Sequence, residues 1–165
     1  PQQQLWAFAE EMSRQLGLEV RVAGSARQVV EQADVIALAS TASSPIISGD
    51  WLTLGSHINA IGAHTPNARE LDTRSVVLAK VVCDFTPACL AEAGDIIIPI
   101  QEGAFSRDRI YGDLGEVVTG QKKGRENEQE VTIFKSVGLS IQDVATAHFV
   151  YKKARESGVG LSFEF

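Results

Sequence analysis

Short apolar segments alternate with helical patterns along this chain of 165 residues, and this alternation constrains the fold more than any other feature. A continuous apolar run at residues 34–39 predicts a strand that is covered on both faces. In the apolar segment 96–100, Pro99 suits an edge strand or the end of a strand. Further strands are predicted at residues 18–22, 57–61, 75–84 and 130–135. Strands and helices that alternate at this spacing indicate βαβ units and a mostly parallel sheet.

The predicted helices have recognisable start and stop signals. Apolar residues recur at three-to-four spacing over residues 5–16, and Gly17 ends this first helix. Ser25 begins a second helix that runs to residue 33, and Gln28 completes a capping box. Other helical segments are predicted at residues 50–52, 87–93 and 114–119, followed by a long amphipathic helix at residues 139–157. The predicted fold class is therefore α/β, with flanking helices and a long C-terminal helix.

Length, charge and cysteine content limit the classes of function. A chain of 165 residues has the size of one domain, and its net charge of −6 argues against nucleic acid binding, which needs a basic face. The one basic run, at residues 121–125, is followed at once by glutamates and indicates a solvated loop. No apolar run spans a bilayer and no secretion leader opens the chain. The two cysteines have no C-x-x-C spacing, so we expect a cytoplasmic protein without membrane contact.

The most informative local feature is a strand that ends in a glycine turn. Residues 57–61 predict a buried strand, Gly62 supplies the turn, and a polar loop with a helix-starting Pro66 follows. Ligands of open α/β sheets bind outside the carboxyl ends of the strands, so His64 lies where chemistry would occur. The usual phosphate-binding loops are absent, because neither G-x-G-x-x-G nor G-x-x-x-x-G-K-[ST] occurs in the chain.

An ordered set of motifs extends over essentially the whole chain from about Leu5. The motifs are A-D-V-I at 33–36 before a Thr/Ser loop, H-I-N-A-I-G-A at 57–63, R-E-L-D at 69–72, L-G-E-V at 114–117 with Gly120, and T-I-F-K-S-V-G at 132–138 with Q-D at 142–143. Any one of them is weak. The ordered set, however, resembles the ornithine cyclodeaminase/mu-crystallin family of NAD(P)-dependent proteins.

The resemblance implies a domain arrangement. In that family a substrate and dimerisation domain surrounds a Rossmann domain, and the G-x-G-x-x-G lies upstream of the part matched here. Residues 1–165 are therefore expected to form a single truncated Rossmann-like domain without its first strands and glycine-rich loop. In Rossmann order the strand at 18–22 then loses its neighbour, and the strand at 35–39 becomes an apolar edge. A homodimer or higher homo-oligomer is expected, and a separate chain carrying the N-terminal half is a further candidate partner.

The resemblance also implies a cofactor site for NAD(P). Residues 61–63 match the segment against the nicotinamide end, residues 39–41 match a loop at the ribose and nicotinamide, and Ser136 begins a loop with nicotinamide and substrate contacts. The implied cofactor-binding residues are Ala39, Ser40, Thr41, Ile61, Gly62, Ala63 and Ser136, and Val137 is implied at the substrate. From spacing alone, the same segments are compatible with simple turns and an ordinary strand-to-helix junction.

His64 occupies the position at which the cyclodeaminases carry a catalytic aspartate. A histidine there would exchange a proton with an imine or amine near neutral pH, and the alternative is a solvent-exposed loop histidine. Ala68 stands where the cyclodeaminases have a lysine at the cofactor. His57 is expected to be structural and hydrogen-bonded. The three histidines have no metal-ligand spacing, so no metal site is predicted.

Two functions from different classes follow, beside the alternative of a degenerate product that keeps the fold and binds no ligand. The first is NAD(P)-dependent hydride transfer on imines or amino acids, as the resemblance to cyclodeaminases, ketimine reductases and alanine dehydrogenases implies, with this chain inactive alone. The second is a non-catalytic module that forms oligomers or binds a small ligand.

Overall fold

Five parallel strands form one sheet in the computed structural model, which describes residues 2–161 and residue 163. The sheet order is β1-β2-β5-β3-β4, so the last strand in the chain occupies the centre. The strands are β1 (Val35–Leu38), β2 (His57–Ala60), β3 (Lys80–Cys83), β4 (Ile110–Asp113) and β5 (Thr132–Lys135). The predicted α/β class with a mostly parallel, partial Rossmann-like sheet is confirmed.

Seven helices flank or extend from the sheet within the described residues. They are α1 (Gln2–Leu16), α2 (Ala26–Val30), α3 (Thr73–Leu78), α4 (Thr86–Glu92), α5 (Gly94–Gln101), α6 (Leu114–Val118) and α7 (Ser140–Glu156), with single 3₁₀ turns at Gly49–Trp51 and Arg107–Arg109. The expected helical segments at residues 50–52, 87–93, 114–119 and 139–157 therefore all occur, with ends shifted by a few residues.

One face of the sheet forms the hydrophobic core. Ile58 of β2, Val81 of β3 and Ile133 of β5 alternate with less buried neighbours and pack with Val76 of α3 and Ile96 of α5. This period of two is what a strand with one buried face requires. The core therefore lies between the sheet and the α3–α5 layer.

The expectation that the run at 34–39 is covered on both faces is wrong. Ile36 and Leu38 are buried, but Val35 is 63% exposed and Ala37 is also exposed. These two side chains are exposed because β1 is an edge strand and no described element covers its outer face. The prediction that this strand becomes an apolar edge is confirmed.

The predicted strand at residues 18–22 does not form. The segment is non-helical, but no described strand pairs with it, and the amide of Val20 donates to the hydroxyl of Ser13 in α1 over 2.9 Å. Strand structure needs a neighbour to accept its backbone hydrogen bonds. An alternating pattern alone does not supply one.

Two further strand predictions are corrected. The segment 75–84 begins as α3 and becomes a strand only at Lys80, because Asp72 caps the helix by accepting from the Ser75 amide over 2.8 Å. The segment 96–100 lies inside α5, with Pro99 in the helix. A short apolar run does not distinguish a buried helix from a buried strand. The strand β4, which contains Gly112, had no recognisable pattern in the sequence.

The long C-terminal helix α7 is confirmed, but the amphipathic pattern expected for it is wrong. None of its residues is buried, and Ile141, Phe149 and Tyr151 are each more than half exposed. Apolar side chains lie on several sides of this helix. Among the described helices, none combines the length and apolar character needed to cross a membrane.

Candidate functional site

Three loops meet at the carboxyl edge of the sheet. They follow the neighbouring strands β1, β2 and β5, and backbone hydrogen bonds continue the pairing past the strand ends. The amide of Ile61 donates to Leu38 over 2.9 Å, and the amide of Ser136 donates to Ala60 over 3.1 Å. The segments 39–44, 61–65 and 136–138, which lie far apart in sequence, therefore form one surface.

A buried carboxylate joins the first two loops. Glu70 has no exposed surface, and its Oε1 accepts from both the amide and the hydroxyl of Ser40, each over 2.7 Å. Its Oε2 accepts from the amide of Gly62 over 2.8 Å. A Cβ atom at Gly62 would overlap Oε1 of Glu70 and the carbonyl oxygen of Ser40. The close approach therefore requires glycine at this position.

A buried ion pair lies under the second loop. Lys135 Nζ is 2.8 Å from Asp95 Oδ2, both side chains are fully buried, and this oxygen has no other partner among the described residues. Lys135 Nζ also donates to the carbonyl of Ala63 over 2.6 Å. Asp95 Oδ1 accepts from the amides of Glu70 and Leu71 over 2.8 and 2.9 Å. A lysine at the end of β5 thus contacts the turn after β2.

Asp84, directly after β3, organises the third loop. Its Oδ2 accepts from the hydroxyl of Ser136 over 2.7 Å and from the amides of Val137 and Gly138 over 2.9 and 3.0 Å. Burial raises the pKa of Asp84, but hydrogen bonds, above all from Ser136 and Cys89, outweigh burial and hold the pKa below its usual value. The carboxylate form therefore stabilises this loop.

A family model confirms the resemblance seen in the sequence. Residues 2–158 match the model of the ornithine cyclodeaminase/mu-crystallin family. The chain belongs to this family.

Individual relatives agree with that assignment. The Δ1-pyrroline-2-carboxylate reductase of Bacillus thuringiensis subsp. konkukian is 39% identical over 165 residues, which are 99% of this chain and 50% of that protein. The Thermococcus litoralis Δ1-pyrroline-2-carboxylate reductase in complex with NADH and L-proline superimposes with a TM-score of 0.91 at 47% identity, over 95% of this chain and 49% of that one. An archaeal alanine dehydrogenase dimer with bound NAD superimposes with a TM-score of 0.83 at 34% identity. The match covers 94% of this chain and 48% of that one. The chain spans about half the length of the curated relatives it matches.

The residues that the family resemblance assigned to the cofactor all lie at the shared edge. Ala39, Thr41 and Ile61 are exposed there, whereas Ala63 and Ser136 are buried behind the surface. Ser40 and Gly62 are partly buried and follow the ends of β1 and β2, and Val137, which the resemblance assigned to the substrate, is partly buried after β5. Their roles in binding stay predictions.

His64 is exposed at the tip of the second loop. Its Nδ1 lies 3.0 Å from the carbonyl oxygen of Gly62. Because that oxygen only accepts, Nδ1 carries the proton in this contact, and Nε2 is left for another partner. His57, by contrast, is half-buried with Nδ1 2.7 Å from Thr132 Oγ1, as predicted for a structural histidine.

Sequence reasoning assigned no role to the four charged residues that hold the site, Glu70, Asp84, Asp95 and Lys135. Glu70 and Lys135 lie inside the quoted motifs R-E-L-D and T-I-F-K-S-V-G, and Asp84 directly follows a buried strand. For Asp84 and Lys135 the apolar residues that precede them are a signal, because charges are almost never fully buried unless paired. The partner of each was not predictable.

The two cysteines do not provide a reactive group. Both are buried free thiols. The pKa of the Cys89 thiol is raised, most by a hydrogen bond with Cys83 and next by burial. A protonated, buried thiol is a poor nucleophile. Within the described part of the chain, no three His, Cys, Asp or Glu side chains are grouped to hold a metal ion.

A separate cavity lies on the sheet face opposite the core. Its volume is about 450 Å³, and its walls include His57, Asn59, Phe134 and Val117. These side chains occupy the alternate positions of β2 and β5 and the facing side of α6. The cavity therefore does not coincide with the three loops at the carboxyl edge.

In the D84N variant, the free energy of unfolding is expected to fall less steeply than in the wild type as the pH is lowered through the acidic range. The pKa of Asp84 in the folded chain is below that of an unfolded aspartate, about 3.9. Its stabilisation is complete above the unfolded pKa and is lost as the pH falls through the lower folded pKa. Urea unfolding over a series of acidic pH values measures this slope. The exposed D108N is the matched control and should keep the wild-type slope; an unchanged slope in D84N would contradict the assignment.

Proposed function

We propose that this chain forms the nicotinamide side of an NAD(P)-binding site in a protein that transfers hydride to or from imines and amino acids. The observation that carries the proposal is the convergence of the segments 39–44, 61–65 and 136–138 at one sheet edge. In α/β sheets that edge is where dinucleotides bind. The NADH-bound and NAD-bound relatives, at 47% and 34% identity, support the same cofactor class.

In this proposal the cofactor carries out hydride transfer when it is bound, and the chain orients it and handles the proton. The backbone at Gly62 and Ala63 would receive the nicotinamide ring. Ser40 and Thr41 would hold the ribose side, and Val137 would contact the substrate. His64 exchanges a proton with the imine or amine nitrogen through Nε2.

We further propose that these 165 residues do not turn over substrate alone. The loops at the sheet edge account for one end of a dinucleotide, whereas the sequence contains no G-x-G-x-x-G for the pyrophosphate. Loss of binding groups that act in the transition state typically costs orders of magnitude in rate. Steady NADH formation from ornithine, proline or alanine by the purified chain would contradict this part of the proposal.

Amide NMR tests the binding site directly. Titration of the ¹⁵N-labelled chain with NADH is expected to shift amide signals in the three loops and to leave those of α7 beyond its first turn unchanged. In G62A the added methyl overlaps Glu70 and Ser40, so the loops move apart and NADH binding should weaken at least about tenfold, equivalent to roughly 1.4 kcal/mol.

The control for that variant is G115A. Gly115 lies in α6, and a Cβ there meets no atom within 4 Å. G115A should therefore bind NADH as the wild type does. If millimolar NADH shifts no loop amide in the wild type, the proposed function fails.

A second candidate, a module that acts through self-association, is favoured by the exposed apolar side chains. Val35 on the edge strand β1, Trp6 on α1 and Phe149 on α7 are all about 60% exposed. Large exposed apolar groups are typical of surfaces that another chain covers. A homodimer would cover them symmetrically. Light scattering at micromolar concentration is expected to give at least a dimer mass, and a monomer mass would remove this candidate.

A further inference from the structure

The turn formed by Gly62 and Ala63 is held at both ends by charged side chains. The amide of Gly62 donates to the carboxylate of Glu70 over 2.8 Å. The carbonyl of Ala63 accepts from the ammonium group of Lys135 over 2.6 Å. Hydrogen bonds to ionised groups are shorter and stronger than those between neutral groups. A negative and a positive group thus fix the two ends of one two-residue segment.

Asp95 connects these two groups into a closed ring of contacts. Its Oδ2 pairs with Lys135 at 2.8 Å, and its Oδ1 accepts the backbone amide of Glu70 over 2.8 Å. Gly62 contacts Glu70, and Glu70 contacts Asp95. Asp95 in turn pairs with Lys135, and Lys135 contacts Ala63, the neighbour of Gly62. Each of the three side chains is therefore linked to the turn by a continuous path of contacts.

Stability alone does not account for a fully buried ion pair at this position. Removing two charges from water is costly, and apolar residues of similar volume are often as stabilising or more so. Lys135 lies on the core face of β5, where the alternate residue Ile133 is apolar. An apolar residue at 135 would fill the core but would leave the Ala63 carbonyl without its donor.

We propose that Glu70, Asp95 and Lys135 are positioning residues that hold the Gly62–Ala63 turn in the orientation in which it receives the nicotinamide end of the cofactor. This inference rests on the proposed function, because it assigns that turn to the cofactor. None of the three side chains touches the cofactor. Each acts through the backbone of the turn or through another of the three residues.

The K135M/D95N double variant separates positioning from stability. K135M alone leaves the Asp95 carboxylate buried and unpaired, whereas the double variant removes both charges of the pair and keeps an oxygen for the amides of Glu70 and Leu71. The double variant should therefore unfold at higher urea than K135M. In both variants the Ala63 carbonyl lacks its donor.

Two measurements on the 165-residue chain test the inference. Without ligand, ¹⁵N relaxation of Gly62, Ala63 and His64 should change from rigid values, an order parameter of about 0.85, toward flexible values below about 0.6 in the double variant. With NADH, the dissociation constant should rise at least about tenfold. The control K153M/E156Q removes an exposed pair of α7, at 3.1 Å, and should change neither measurement.

A turn as rigid as the wild type, together with unchanged NADH affinity in the double variant, would overturn the inference. If the wild type binds no NADH, the proposed function fails, and relaxation alone then shows whether the three residues hold the turn. Should the double variant not fold, E70Q replaces it. An amide side chain at 70 keeps one acceptor oxygen and presents an NH₂ group to Ser40 or Gly62, so the same loss of order and affinity is expected.

Discussion

The K135M variant is expected to lower the free energy of unfolding by about 3–5 kcal/mol, the range found when one partner of a buried ion pair is removed. Lys135 and Asp95 have no exposed surface, so neither water nor another described side chain compensates the remaining carboxylate. The Ala63 carbonyl also loses its donor. Urea unfolding at neutral pH, followed by circular dichroism, measures the change.

The matched control is K153M on α7. Its ion pair with Glu156 is exposed, and such pairs contribute about 0–1 kcal/mol. A loss in K135M no larger than that in K153M would mean that the Lys135–Asp95 pair is not shielded from water, and the buried network would have to be rejected.

The G94A variant is expected to destabilise the chain by about 1–3 kcal/mol or more, the usual cost of forcing an extra group into a packed interior. A Cβ at Gly94 would overlap the carbonyl oxygen of Ala68 and lie 2.9 Å from that of Pro66. Both are backbone atoms, so the loop at 65–68 or the start of α5 must move. The amide of Gly94 also donates to Thr65 over 3.1 Å, which fixes the same loop.

The effect should reach the candidate site, because this loop follows His64 directly. Amide signals at residues 62–68 are expected to shift in G94A, and urea unfolding gives the loss of stability. The control is G115A, where the added methyl meets open space, so no loss of stability is expected. Equal stability of G94A and the wild type would show that the loop does not pack on α5 as described.

Much of the secondary structure was predictable from short stretches of sequence. The strand expected at 57–61 is β2, and the helix expected at 139–157 is α7, because both patterns extend over enough residues to be recognised. The apolar segment 96–100 is the counterexample. The residues of this segment are almost all apolar, so the segment has no polar positions whose spacing would indicate a helix or a strand. Its packing against α3 and α4 decides that it is a helix.

The position of the candidate site was predictable, but the side-chain contacts that hold its loops were not. The resemblance assigned Ser40, Gly62 and Ser136 to one cofactor, and strands that run in parallel bring the loops with these residues to one edge. The buried ion pair under the turn at Gly62 and Ala63 depends on Asp95, which lies far from Lys135 in sequence. No local pattern links the two residues.

The amino acid sequence was enough to predict an α/β chain with parallel strands and to place the candidate binding loops at one edge, because alternation, capping and glycine turns are properties of neighbouring residues. Tertiary structure alone decided that β5 lies at the centre of the sheet, that residues 18–22 form no strand, and that a buried lysine holds the turn after β2. Strand pairing and charge pairing join residues that are distant along the chain. Their free energy depends on which surfaces meet in three dimensions, and a linear pattern does not contain that information.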